Sequence, residues 1–374
     1  MDSVRDIITD LKLRASYGVT GNLPNGLYGH YGTYTTSGAY AGMAAIYENV
    51  ISNPTLQWER GYHGDIGVEV GLFKRFSILF DYYQRDTKDL LLDRPLYSVS
   101  GFSEMMGNVG HLRNKGFEME IRSVNISKKD LNWETSLNLY DNKNTVMALS
   151  DLSQYVDGRY MRKEGEAWNT FYLREYAGVD PANGKAQYYV NSGANPRELT
   201  YDPNAATPVL LQVTDPKIYG NISNKVGYKF LDLNLNFTFS LGGYSYDNGL
   251  SSLLDDGYAT NNNKSILLRG RWKQPGDITN IPQYVSGNNT GGYFNSSRGI
   301  HSRDHLRLKS FTLGATLPAK WVSSAGISRA RFYVSGMNVL TLAAYKQYDP
   351  EMEGVVGWGI PPLKTWTMGL EIFF

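Results

Sequence analysis

The 374 residues carry 37 basic and 36 acidic side chains, a net charge of +1, and no cysteine. Disulfide, thiolate-metal and CxxC chemistry are thereby excluded, and the clustered basic face with which a nucleic-acid binder neutralises phosphates is missing. No stretch approaches the roughly 18 continuous apolar residues of a spanning helix, yet a mean hydropathy of −0.38 is compatible with a transmembrane β-barrel, whose alternating faces average to hydrophilic. The opening sixteen residues, MDSVRDIITDLKLRAS, lack the basic and apolar regions of a secretory leader; the protein is either intracellular or this is not the start of its gene. Tyr 28, Phe 14, Trp 7 and Gly 39 favour strands joined by ordered polar loops.

In chain order, period-two alternation starts at Trp58–Leu72, where Ile66, Val68, Val70 and Leu72 interleave with Gly67, Glu69 and Gly71. It resumes over Phe76–Arg85, in Phe117, Met119 and Ile121 against Glu118, Glu120 and Arg122, and over Trp133–Leu139. The longest unbroken run is Leu231–Gly242, with Leu231, Leu233, Leu235, Phe237, Phe239 and Leu241 on one face. Phe311, Leu313, Ala315 and Leu317 mark another strand, Arg329–Leu340 the next, and Trp366, Met368, Leu370, Ile372 and Phe374 the last. At about ten residues these strands are twice the usual globular length and match a tilted bilayer span.

The connections alternate in length. Phe73–Arg75, Asn125–Leu131, Lys229–Phe230 and Pro318–Ser328 are short; Asn22–Gln57, Asp86–Arg113, Ser150–Asn169, Asn191–Lys217, Gly243–Asp304 and Tyr345–Lys364 are long. Short turns at one rim and long loops at the other are the pattern of outer-membrane barrels, and about ten to twelve strands fit it. Phe171–Val190, with a turn at Asp180–Gly184, can be placed at either rim; Ser252–Leu254 and Ile266–Leu268 are expected to be short helical pieces. Trp58 and Trp366 at one rim, with Trp133 and Trp321 at the other, suit an aromatic girdle. Strand parity directs Glu69, Asp81, Glu118, Glu120, Arg122, Asp232, Asn234, Asn236 and Glu371 into the lumen, and Leu235 and Phe237 towards lipid.

No enzymatic constellation is present: HExxH, the G-x-S-x-G elbow, the phosphate loop and the EF-hand spacing are all missing. Asp255 and Asp256, beside Gly257, read as a solvated turn rather than a glycosidase pair, and His301 and His305 flank a strand start rather than sharing a helix face, so no metal site or cofactor is expected. The chemistry that stands out is aromatic and amide. Tyr28, Tyr31, Tyr34 and Tyr40 crowd the first long loop; Tyr258, Asn262, Tyr284, Tyr293 and Trp358 occupy later ones. Such side chains either stack on and hydrogen-bond sugars or peptides, or simply pack on one another over the barrel mouth.

Nine segments in order resemble the SusC/RagA-like TonB-dependent outer-membrane transporters: LRASYGVTGN (Leu13–Asn22), NPTLQWE (Asn53–Glu59), DYYQRDTKDLLL (Asp81–Leu92), NVGHLRNKGFEMEI (Asn108–Ile121), EYAGVDPANGKAQYY (Glu175–Tyr189), RWKQPGD with IP (Arg271–Asp277, Ile281–Pro282), LRLKSFTLGATLP (Leu306–Pro318), ARFYVSGMNVLT (Ala330–Thr341) and YDPE (Tyr348–Glu351). The terminal Phe374 is similar to the signal read by barrel-insertion machinery. The resemblance implies an all-β fold, a transmembrane antiparallel barrel of which this chain is the C-terminal portion, residues 1–374 supplying about half of the strands of a 22-stranded barrel, with plug and N-terminal strands on another piece. It also implies location in the outer membrane of a Gram-negative bacterium, import of a glycan or oligopeptide, energising by the TonB complex through the missing part, and a SusD-like lipoprotein partner that Gly243–Asp304 and Tyr345–Lys364 would contact. The alternatives are a passive porin or adhesin, and a soluble all-β glycan-binding module.

Overall fold

The computed structural model describes residues 7–24, 28–149, 152–288 and 295–374. Ten long strands form a single antiparallel sheet in which sequence neighbours are spatial neighbours: β1 (Ile8–Asn22), β2 (Glu59–Leu72), β3 (Phe76–Lys88), β4 (His111–Ser127), β5 (Leu131–Ala148), β6 (Ile218–Tyr228), β7 (Leu231–Leu241), β8 (His305–Leu317), β9 (Arg329–Ala343) and β10 (Thr365–Phe373). The count falls within the range the alternation suggests.

Directly opposed residues of antiparallel strands share a face, so register turns sequence parity into geometry. Leu13, Val68, Phe80, Met119 and Leu139 form one apolar row across β1 to β5. Phe237 continues the adjoining row through Ile222, Leu137, Ile121, Ile78, Val70 and Leu11. The outer face thus exposes large hydrophobics, with Leu13 76% and Ile66 67% exposed, as expected of a surface whose solvent is hydrocarbon. On the other face lie all nine of the polar residues assigned to the lumen; Asp81, Glu118, Tyr140 and Tyr219, for example, stand in one row.

Two ion pairs on the inner face bridge strands that are not neighbours. Arg14 of β1 donates from Nε to Asp81 of β3 at 2.8 Å, passing over Gly67 of β2. Arg331 of β9 reaches Asp232 of β7 at 2.9 Å over Gly314 of β8. Any Cβ at Gly67 or Gly314 would collide with the paired side chains, so a bare backbone is what lets each pair close. β8 also contains a bulge at Lys309, opposite the step from Asn236 to Phe237. One extra residue reverses the phase of the strand: Arg307 faces the lumen above it, while Phe311 and Leu313 face outwards below.

The rims differ as expected. At one, the turns are residues 73–75, 128–130 and 229–230, plus 318–328, which carries the helical turn Ala319–Val322. At the other, the connections fold. The first holds a hairpin, Thr33–Tyr40 with Met43–Val50, and the second another, Leu91–Pro95 with Glu104–Asn108. Residues 149–217 make one excursion between β5 and β6, so Phe171–Val190 belongs wholly to the long-loop rim; the turn at Asp180–Gly184 closes there, with the Gly184 N–H donating to the Asp180 carbonyl at 2.8 Å. The expected helical pieces are Asn248–Leu253 and Ile266–Gly270. Over the sheet these connections fuse into a cap, in which Tyr244–Asp247 pairs with Ile300–Ser302 and, in parallel, with Gly354–Val356. Its core is Phe171, Leu173 and Tyr246, all buried, packed by Tyr160, Leu211 and Ile300.

Candidate functional site

The inner wall beneath the cap gathers amide, phenol and charged side chains around one cavity. β4 and β5 direct Asn114, Asn142 and Asn144 inwards at neighbouring register positions. Asn144 donates to Asn114 Oδ1 at 2.8 Å, Tyr83 donates its hydroxyl to Asn142 Oδ1 at 3.1 Å, and the backbone N–H of Trp168 donates to Asn144 Oδ1 at 2.9 Å. The three asparagines, Trp168, Tyr219, Asp215 and Arg303 line a cavity of about 600 Å3. Burial raises the Asp215 carboxyl above its ordinary range, against a hydrogen bond from Thr214. Amide pairs, an indole and a phenol around one cavity can hydrogen-bond and stack on a polar chain such as a peptide or glycan.

Ion pairs hold the last long connection on this wall. Arg307 donates to Glu351 Oε2 and to Asp349 Oδ2, both at 2.7 Å, and Lys309 meets Glu351 at 2.8 Å. Arg303 donates to the Pro350 and Thr214 carbonyls at 3.2 Å and to Glu353 at 2.9 Å. The acids of the YDPE segment are thus the anchors of the loop. Above them, Tyr345, Tyr348, Leu250 and Trp358 line a second cavity of about 580 Å3; burial pushes the Tyr348 phenol up to about 12.

The aromatic residues singled out from sequence do not converge. Tyr28 and Tyr31 line a third cavity, about 810 Å3, between the two hairpins, with Tyr47, Phe102 and Met105. Tyr34 and Tyr40 stand exposed on the first hairpin, at 69% and 79%. Trp358 flanks the second cavity, Tyr258 and Asn262 are exposed in the connection after β7, Tyr284 is half-buried, and Tyr293 lies outside the described residues. Asn114, Asn142, Asn144 and Trp168 were not on that list. The available signal was three inward-parity asparagines on adjacent strands, two of them two residues apart.

The reading of Asp255 and Asp256 as a solvated turn is corrected. Both are buried: Asp255 accepts two bonds from Lys264 Nζ at 2.7 Å and the N–H groups of Gly257 and Ala259, and Asp256 pairs with Arg298 at 2.7 Å. Burial pushes both carboxyls up; at Asp255 the Lys264 and backbone donors overcome it and leave the group below its usual range, whereas at Asp256 burial prevails over Arg298 and the group stays above. His301 and His305 are engaged separately: His301 stacks on Tyr345 at 3.8 Å and 7°, and His305 Nδ1 lies 2.8 Å from the Arg303 carbonyl. Burial lowers His301 to about 4, with Asp247 opposing.

A family model described as TonB dependent receptor-like, beta-barrel, matches residues 3–242. TonB-dependent receptor P3 of Formosa agariphila is 31% identical, across 98% of this chain and 40% of that protein. TonB-dependent receptor SusC of Bacteroides thetaiotaomicron is 26% identical, across 99% and 38% respectively. The RagAB peptide transporter structure superposes with a TM-score of 0.87 at 27% identity, over 98% of this chain and 41% of that one. The chain therefore spans about two fifths of the length of the relatives it matches.

Proposed function

The chain belongs to the TonB-dependent receptor β-barrel family, of SusC/RagA type, and on that premise we propose that it forms part of the barrel of an outer-membrane importer for oligopeptides or glycans. The observation that carries this reading is the superposition on the RagAB peptide transporter along nearly the whole chain, which also favours the oligopeptide. The fold supplies a physical reason for further strands. Among the described residues β1 pairs only with β2 and β10 only with β9, and unpaired edges are not viable in hydrocarbon; the remaining strands and a plug come from the rest of a longer polypeptide.

In this reading the apolar outer rows face lipid, and the inner ion pairs and amides face the lumen and plug. The wall around Asn114, Asn144 and Trp168 contacts cargo after it passes the loops. A SusD-like lipoprotein sits over the long-loop rim, against the connections after β7 and β9, and the TonB complex supplies energy through the plug-bearing part. Uptake of labelled oligopeptides and oligosaccharides, with and without a functional inner-membrane energising complex, tests this. Loss of uptake without the complex is the expected result; uptake that continues undiminished would leave a passive pore. A Trp168→Ala variant is expected to weaken cargo binding while the barrel still forms.

A further inference from the structure

We propose that the short-turn rim binds the anionic phosphodiester headgroups of a membrane phospholipid, at an arc made by Lys128, Lys129, Lys229 and Lys320. The inference rests on the membrane-spanning reading and adds a ligand at a rim that reading leaves without a role.

The charge of this rim is one-sided. Its four turns contain Lys74, Arg75, Lys128, Lys129, Lys229 and Lys320 against one carboxylate, Asp130, in a chain whose overall charge is nearly balanced. All six cations are exposed. None takes part in a described ion pair, whereas three outward cations at the opposite rim do: Arg60 pairs with Asp89, and both His111 and Arg113 with Asp86. The strand order places the turns after β4, β6 and β8 side by side. The Lys229 N–H donates to the Asp130 carbonyl at 2.9 Å, and Phe230 packs against Trp321 at 5.7 Å. The four lysines therefore follow one another along adjoining turns of the rim.

What makes lipid the occupant is the layer immediately beside the arc. Trp133, Tyr228, Phe230 and Trp321 are exposed there, and Lys229 Nζ sits 5.3 Å from the Tyr228 ring centroid. Amphipathic rings at headgroup depth, with unpaired ammonium groups just outside them, match acyl chain and phosphate in the order a bilayer presents them. A soluble acidic partner would gain nothing from the rings.

The test uses the full-length polypeptide that contains this chain, purified in mild detergent and titrated with phosphatidylglycerol or phosphatidylcholine while bound lipid is counted by native mass spectrometry. The expected result is a preference of about fivefold or more for phosphatidylglycerol, abolished in K128Q/K129Q/K229Q and kept in K273Q, which removes a cation from the connection after β7. Heat-modifiable migration of each variant on gels confirms that the barrel is formed. Equal uptake of the two lipids by the unaltered protein, or a preference surviving the triple substitution, overturns the proposal. Displacement of bound lipid by equimolar glycerophosphoglycerol also overturns it, by making free phosphodiesters the ligand. A polypeptide that stays dispersed without detergent and takes up neither lipid would bring down the membrane reading itself, an outcome distinct from the other three.

Discussion

Arg331 and Asp232 meet at 2.9 Å although a whole strand lies between them, and the residue of that strand beneath their contact is Gly314. The pair is part-exposed, so its value is of the modest order of solvated ion pairs, about 0.5–1 kcal/mol. A Cβ at Gly314 would fall 2.5 Å from Asp232 Oδ1 and 2.6 Å from Arg331 Nη2, close enough to force the tips apart. Gly314→Ala and Asp232→Asn are each expected to cost about that amount, and the double variant no more than either alone, because both remove the same contact. Urea unfolding midpoints in lipid vesicles measure it; strictly additive costs would show that the glycine matters for some other reason.

The outward row through Phe237 makes a sharper demand. Phe237→Arg puts a charge on the lipid face in the middle of β7 and is expected to cost about 2–4 kcal/mol, whereas Asn236→Arg, one residue away on the inner face, costs well under half of that. Reversible folding into vesicles compares the two, and similar losses would reject the assignment of faces.

Within the cap, Arg298 and Asp256 form a buried pair, each side chain 7% exposed. Arg298→Met leaves a buried carboxylate without its cation, expected to cost about 3–5 kcal/mol locally. Limited proteolysis of the connection between β7 and β8 should then speed up, and adding Asp256→Asn should slow it again. Unchanged cleavage in Arg298→Met would mean that the pair does not hold this connection.

His301 should make the cap sensitive to acid. Its folded pKa of about 4 lies below the ordinary value near 6.5, so between those values the unfolded segment takes up a proton that the folded one refuses. The contribution of the buried neutral ring is complete above about pH 6.5 and is lost as pH falls towards 4, by at most about 3.4 kcal/mol. His301→Phe keeps a ring against Tyr345 and removes the proton. Protease resistance of the cap should lose most of its slope between pH 6.5 and 4 in that variant; an identical slope would assign the sensitivity to groups other than His301.

The strands were legible because a sheet with lipid on one side and polar lumen on the other must alternate, and Leu231–Leu241 does so without interruption. Counting by parity breaks at Lys309, where the bulge exchanges inside for outside; the odd residues Arg307 and Phe311 lie on opposite faces, and the register with β7 and β9 reveals it. The cap was hidden because its strands are too short and too evenly buried for a period: of Thr170–Leu173, three of four residues are buried. Asp255 and Asp256 looked solvated since their partners lie elsewhere in the chain, Lys264 nine residues on and Arg298 forty-two. The asparagine wall needed two facts together, inward parity and the alignment of β4 with β5, and sequence supplies only the first.

The buried cluster over the sheet takes Phe171 and Leu173 from the connection before β6 and Tyr246 from the one after β7. Neither connection holds the whole cluster, and the pairing of β6 with β7 is what brings the two halves within reach. Closure of the cap is therefore expected to depend on the pairing of β6 with β7, so the cap reports on the completeness of the wall beneath it. A barrel stalled before β7 would leave Phe171 and Leu173 uncovered, a surface that proteases and chaperones can recognise.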